Sequence, residues 1–421
     1  GMVFVLLGLF YGLPWIQIGG DPVILFDLPA REFHIFGLTF FPQDFYYLTL
    51  LLIICALGLF FVTSLAGRVW CGYACPQTVW TEVFLWMEHW TEGKRAKRLK
   101  LDRGPWNAEK ILRKASKQVL WIAFALWTGL TFVGFFSPID DLLSRAVSFQ
   151  LGPWETFWSL FYGFATYFNA GFMREQVCLY MCPYARFQGA MFDRDTLVIS
   201  YDEARGEPRG GRRRGIDPKS KGLGDCIDCN LCVQVCPTGI DIRDGLQYEC
   251  IACGACIDAC DSVMDKMDYP RGLVRYTTEN ALEGKPSRVL RPRTLIYTVL
   301  LLALLGAGVT GLVLREPVRL DILTDRNTLY RETGSGLIEN SYRFKLTNMS
   351  GAPHTYGFSV DGPSGVRIHT QPREVRLDAG ETRTVPARIQ LDPAATETIG
   401  GVDVTVTVRS LDGADISGSE T

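Results

Sequence analysis

Eight cysteines between Cys226 and Cys260 constrain this chain more than any other feature. They read Cys226-x2-Cys229-x2-Cys232-x3-Cys236-Pro237 and, after thirteen intervening residues, Cys250-x2-Cys253-x2-Cys256-x3-Cys260-Asp261. Three thiols two residues apart wrap one corner of an iron–sulfur cubane in a tight turn, and the fourth ligand comes from elsewhere. In bacterial-type two-cluster ferredoxins the fourth cysteine of each run ligates the other cluster. The spacing therefore assigns Cys226, Cys229, Cys232 and Cys260 to one [4Fe–4S] cluster, and Cys250, Cys253, Cys256 and Cys236 to a second. Zinc knuckles need four ligands per site and no third evenly spaced thiol, so they fit this pattern poorly. Gly254 and Ala255 suit a backbone pressed against inorganic sulfide. Asp261 stands where a proline is usual, and its negative charge is expected to lower the potential of the neighbouring cluster.

The remaining five of the thirteen cysteines are Cys55, alone in an apolar run, and the pairs Cys71/Cys75 and Cys178/Cys182. Disulfide scaffolds are short secreted chains with cysteines spread through loops. Clustering of the metal-ligand type instead implies reduced thiols facing a reducing compartment.

Long apolar runs alternate with polar blocks over the 421 residues. Five runs are candidates to cross a bilayer: Met2–Ile18, Phe45–Leu65, Val119–Phe136, Trp154–Phe172 and Thr294–Leu314. A helix of about 20 residues at ~1.5 Å rise spans roughly 30 Å of hydrocarbon. The first run is short and begins at residue 1, as a helix entered partway along would; it lacks the basic start and small-residue cleavage site of a signal peptide. Lysine and arginine crowd 67–118 and 173–293, whereas 19–44 offers only Arg31 and 137–153 only Arg145. By the positive-inside rule the basic segments, both cysteine pairs and the ferredoxin block are cytoplasmic, and the region after Leu314 is periplasmic. Thr78–Trp90, rich in tryptophan, reads as a helix lying at the interface or as a further bundle helix.

The two cysteine pairs form an internal repeat. Trp70-Cys71-Gly72-Tyr73-Ala74-Cys75-Pro76 and Val177-Cys178-Leu179-Tyr180-Met181-Cys182-Pro183 both follow an apolar run, and both keep Cys-x-Tyr-x-Cys-Pro. Proline pushes the residue before it out of the α region and starts a helix well. Each pair is thus expected in a turn, with Cys75 and Cys182 at helix N-termini where thiolates are favoured. If the second and fourth runs pack together, four thiols converge. They can then hold Cu(I), another metal or a redox-active disulfide, soft thiolates favouring Cu(I); small buried cysteines without a ligand role are the alternative. Met264 and Met267 are either further soft ligands or core filler.

Only four histidines occur, His34, His89, His354 and His369, and none pairs with another on a membrane run, which argues against a bis-histidine haem. No phosphate-binding glycine motif follows a strand. The net charge of −2 gives no case for a nucleic-acid partner, and Arg212–Arg214 reads as a solvated linker or a docking patch for an acidic electron donor. Beyond Arg315, short alternating stretches such as Tyr342–Leu346, Thr384–Ile389 and Val402–Val408 recur between turns, the pattern of an immunoglobulin-like β-sandwich without a disulfide.

Taken together, the sequence predicts a multi-domain protein. A polytopic α-helical membrane domain (1–200) carries four helices and both cysteine turns. A bacterial-type two-cluster ferredoxin of α+β class (201–285), a fifth membrane helix (286–316) and the β-sandwich (317–421) follow.

The chain resembles the cytochrome c oxidase accessory protein family, membrane polyferredoxins linked to assembly of the cbb-type oxidase. The residues that carry the resemblance are Phe26–Arg31 with Phe33–Gly37, Trp70–Glu82, Cys182–Gln188, the two cluster motifs and Ser262–Met267. It extends over almost the whole chain. It implies a bacterial inner-membrane protein that delivers copper to the oxidase by reducing Cu(II) to Cu(I). It also implies a cytoplasmic extension ahead of the first helix, which this sequence lacks. Two cubanes, with copper at Cys71, Cys75, Cys178 and Cys182, are then the expected cofactor and substrate sites. The expected partners are a cytoplasmic electron donor, a copper chaperone or transporter, and the oxidase subunits. Two other readings fit the cysteines: a quinol dehydrogenase subunit feeding a periplasmic reductase, and a non-enzymatic assembly scaffold.

Overall fold

The computed structural model describes residues 1–18, 21–324, 330–392 and 402–421. The chain forms two compact units, one of Gly1–Ile16 with Thr49–Gly306 and one of Gln17–Leu48 with Ala307–Thr421. The segment between the first two apolar runs therefore groups with the C-terminal domain, whereas the sequence reading had placed it in the membrane domain.

The first unit is helical at its start: α1 (Met2–Gly12), α2 (Phe45–Ala66), α3 (Val69–Tyr73), α4 (Pro76–Glu92), α5 (Arg95–Arg103), α6 (Ala108–Val133), α7 (Ile139–Val147), α8 (Pro153–Thr166) and α9 (Pro183–Gly189). Among the described residues three helices are long and apolar enough to cross a membrane, within Pro42–Ala66, Ala108–Val133 and Pro292–Val313. Met2–Trp15 is a shorter apolar helix. The fourth predicted run is helical throughout but changes type, because α8 passes at Tyr167 into a π-helical segment that ends at Met173.

Close packing of α6 on α8 depends on missing side chains. A Cβ on Gly129 would overlap the Ser159 carbonyl oxygen, and one on Gly163 would fall 3.2 Å from that of Ala125. Small residues let membrane helices approach in this way. α4 is a bundle helix and not an interfacial one: Phe84 is completely buried among Trp121, Ala125 and Ala170. Its polar end is buried too. Glu88 and Glu92 pair with Lys117, Glu92 with Lys114, and Glu88 also with Arg98 and Arg174, which ties α4 to α5, α6 and the end of the π segment. The basic residues Lys110, Arg113, Lys114 and Lys117, expected in a loop, lie instead on the first turns of α6, which Asn107 caps.

The ferredoxin block follows. An antiparallel ribbon of Val198–Tyr201 and Val274–Thr277 frames it, with the helices Leu231–Val235 and Ala255–Met267 packed between. Its core holds Ile199, Ile242, Val263, Met264, Leu273 and Val274.

In the second unit two antiparallel sheets face each other. One runs in the order Arg367–Thr370, Thr382–Leu391, Ile338–Asn348, Val318–Thr324, with Arg331–Glu332 added to the third strand. The other runs Glu374–Leu377, His354–Asp361, Thr405–Ser410, Ser417–Glu420. Alternate residues point inward: Val385, Ala387 and Ile389 from one strand, and Val406 and Val408 from another, meet Phe344, Leu346 and Tyr356. This is the predicted sandwich. The meander Ile24–Asp27, Glu32–Ile35, Leu38–Phe40 belongs to the same unit. Asp44 anchors it, accepting the Phe41 N–H at 3.1 Å and pairing with Arg315 at 2.7 Å.

Candidate electron-transfer site

The two ferredoxin loops are built alike. Asp228 and Asn230 in the first, and Ala252 and Gly254 in the second, take left-handed backbone angles at equivalent positions. These reversals curl each loop around a concave space. One cavity is lined by Cys226, Cys229, Cys232 and Cys260, with Leu231, Val263 and Met264 as apolar wall. A second is lined by Cys236, Cys250, Cys253 and Cys256, with Ile199, Ile242 and Ile251, and Cys232 borders it as well. These are the two groups that the spacing predicts. Met264 serves as wall and core, being 1% exposed.

The donor set suits a cubane. Among the described residues no three His, Cys, Asp or Glu side chains close up as a single-ion site would. The thiols instead surround cavities, as ligands to the corners of a body wider than one ion must. Burial, then the neighbouring thiols, push Cys256 and Cys260 up to about 12. Empty, they are thiols at neutral pH; filling the cavities displaces their protons.

One residue at the first cavity belongs to no motif in the sequence. Arg243, nearly buried, borders the first cavity and binds Asp228, Asn230 and Asp241. Asp261, expected to act on the cluster potential, spends one carboxylate oxygen on the Gly272 N–H at 2.9 Å.

Both Cys-x-Tyr-x-Cys-Pro turns have the predicted form. Cys75 and Cys182 are extended N-cap residues, and Pro76 and Pro183 open α4 and α9. The first thiols differ, Cys71 sitting in α3 and Cys178 in a π-helical turn, Val177–Met181. The four thiols are electrostatic neighbours: Cys178 feels Cys75, Cys71 and Cys182, and Cys75 feels Cys71 and Cys182. α4 and the π segment, not extensive packing of α2 on α8, bring them near one another, and among the described residues no three of them close up as a single-ion site would. The expected thiolate preference at Cys75 is reversed. Burial pushes its thiol up, and the Gln77 and Thr78 N–H groups offset this only in part. Burial and the other thiols push Cys178 up to about 11.

The two sites touch. Gly72, between Cys71 and Tyr73, lies against the second ferredoxin loop, where an added Cβ would stand 2.8 Å from the carbonyl oxygens of both Ile251 and Ala252. Tyr73 reaches the Tyr276 hydroxyl at 3.3 Å, and Tyr276 donates to the Ala252 carbonyl. Tyr180, its counterpart in the repeat, is 75% exposed, so the repeat is asymmetric. Arg68, buried beside the first turn, donates to the Tyr248 carbonyl, and its charge favours the thiolate form at both Cys178 and Cys250. Nothing in the local sequence marks Arg68 out from the other basic residues of 67–118.

Known proteins agree with this layout. Residues 173–279 match the 4Fe-4S dicluster domain, 48–98 a 4Fe-4S binding domain, and 308–421 the IG-like fold at the C-terminus of FixG. The chain is 42% identical to protein RdxB of Cereibacter sphaeroides over 90% of its own length and 83% of that protein. It is 43% identical to RdxA of the same organism, covering 86% and 79%, and 39% identical to the nitrogen fixation protein FixG of Rhizobium meliloti, covering 86% and 76%. The chain belongs to the FixG/RdxA family. It is an iron–sulfur electron-transfer protein of that family, with apolar helices suited to membrane association and an immunoglobulin-like C-terminal domain. In this FixG/RdxA chain the two matched 4Fe-4S segments contain all thirteen cysteines.

Proposed function

We propose that this FixG/RdxA-family protein reduces Cu(II) to Cu(I) in the bacterial inner membrane, for copper delivery during assembly of a cbb-type cytochrome c oxidase. The contact of Gly72 with the Ile251–Ala252 backbone carries the reading, because it sets the first cysteine turn against the wall of a ferredoxin cavity. Cys226, Cys229, Cys232 and Cys260 hold one cluster; Cys250, Cys253, Cys256 and Cys236 hold the other. Bound there, [4Fe–4S] clusters supply one-electron storage and transfer. Cys71, Cys75, Cys178 and Cys182 receive the copper ion. Cu(II) gains one electron that a cytoplasmic donor supplied, and the Cu(I) formed suits soft thiolates. No acid–base pair is required.

Five crossings, with the ferredoxin block cytoplasmic and the β-sandwich periplasmic, follow from the lysine and arginine distribution. The sandwich is then free to meet oxidase subunits or a copper carrier on the outer side.

One cleft favours a second reading, oxidation of a quinol. Gln77, Thr81, Glu82, Arg174, Glu175 and Cys178 line it, and it shares Pro237, Thr238 and Ile251 with the second ferredoxin cavity. A hydroquinone there would have carboxylates for its protons beside a route for its electrons. Anaerobic purification with iron, sulfide and copper analysis and low-temperature EPR tests the main reading. About eight irons per chain, and copper that disappears when Cys71 and Cys182 become serine, are expected. Copper retention in that variant, or cluster reduction in membranes that depends on quinol, overturns it.

A further inference from the structure

One side chain that reaches a thiol of the cysteine turns is an amide. Gln188, on α9 after the second cysteine turn, is completely buried. Its amide faces the first turn: Nε2 stands 3.5 Å from the Cys71 sulfur and Oε1 3.7 Å. The Tyr184 hydroxyl, which meets Thr63 Oγ1 at 2.6 Å, lies near the amide. The first turn reaches back in the same way. Gln77, two residues after Cys75, donates from Nε2 to the carbonyls of Asn169 at 2.9 Å and Arg174 at 3.1 Å, where the π segment ends. Each glutamine, placed shortly after its own Cys-Pro, crosses to the other half of the repeat.

An amide differs from other buried partners in carrying a donor and an acceptor side by side. With both ends in reach of one sulfur, it can serve two chemical states. As a thiol, Cys71 donates S–H to Oε1. As a metal-bound thiolate it has no hydrogen to give and accepts N–H from Nε2. Outer-shell donors of this kind orient ligands and tune the metal they hold.

We infer that Gln188 is the positioning residue for Cys71, satisfying its sulfur both empty and metal-bound, and that it thereby favours loading of a soft metal ion at the four thiols. The inference rests on the proposal that these thiols take copper. Its own content is the N–H···S bond. Gln188→Glu keeps the size and the acceptor but replaces the donor with a charge that opposes a thiolate. Gln188→Leu keeps neither polar end.

The test titrates Cu(I), with a chromophoric chelator as competitor, into the anaerobically purified full chain and into the variants Gln188→Leu, Gln188→Glu and Cys71→Ser. Iron content and cluster EPR report whether each variant is folded. Gln188→Leu is expected to weaken Cu(I) binding about 10- to 100-fold, the range for loss of an outer-shell partner, and Gln188→Glu to weaken it further. The thiolate-to-copper charge-transfer band should move in both. If Gln188→Glu binds as tightly as the parent chain, shape and not the N–H donor is what matters, and the inference is overturned. If Cys71→Ser weakens binding but neither Gln188 variant does, the inference alone falls. If Cys71→Ser changes nothing, the copper reading falls with it.

Discussion

Gly72 and Ala252 are in backbone contact, close enough that a Cβ on Gly72 would stand 2.8 Å from the Ala252 carbonyl oxygen. Gly72 belongs to the first cysteine turn and Ala252 to the second ferredoxin loop. No side chain separates the cysteine turn from the ferredoxin loop at this contact.

Gly72→Val should therefore force the loop and the turn apart. Overpacking of this kind costs about 1–3 kcal/mol, so the variant is expected to fold and to bind its iron. Electron delivery to copper should slow while the cluster EPR of the isolated protein persists. Rapid-mixing reoxidation of the reduced variant by Cu(II) measures it.

Cluster-free protein should lose stability in alkali. Cys256 and Cys260 lie near 12 in the fold, against about 8.5 for an ordinary thiol. A group whose pKa is raised by folding stabilises the fold fully below its unfolded pKa, and this stabilisation is lost as pH rises toward the folded one. Iron-depleted protein should melt at lower temperature at pH 10 than at pH 7. The loaded protein, whose thiolates are already formed, should show a smaller difference.

Asp44→Ala should loosen the meander from the β-sandwich. The carboxylate is buried, caps Phe41 and pairs with Arg315, whose guanidinium lies 5.3 Å over the Phe40 ring. Removing one partner of a buried pair costs about 3–5 kcal/mol. Limited proteolysis should cut within 24–40 faster than in the parent chain, with cluster content unchanged.

Gly129→Leu should separate α6 from α8, since even a methyl group at this position would overlap the Ser159 carbonyl. Lower yield of folded protein in detergent, restored by reversion to glycine, is the expected result.

The ferredoxin cysteines were legible because cluster ligation demands fixed spacing, and the structure groups them as that spacing implies. The β-sandwich was legible from two-residue periodicity. Other features depend on tertiary contact and leave no local pattern. The burial that raises Cys75 comes from packing around it, so the helix N-terminus alone predicted the wrong direction. α4 resembles an interfacial helix in composition, but Phe84 and its buried glutamates meet partners far along the chain. Arg68, Gln188 and Gly72 are ordinary residues in the sequence. Their roles come from neighbours more than 100 positions away.

The most direct measurement is anaerobic stopped-flow mixing of the fully reduced protein with one equivalent of Cu(II), following cluster absorbance and trapping Cu(I) with a specific chelator. The parent chain should reoxidise and yield one Cu(I) per electron lost. The Cys71→Ser/Cys182→Ser variant should keep its clusters reduced on the same timescale. Equal rates and equal Cu(I) yields in the two proteins would contradict transfer through the four-thiol site.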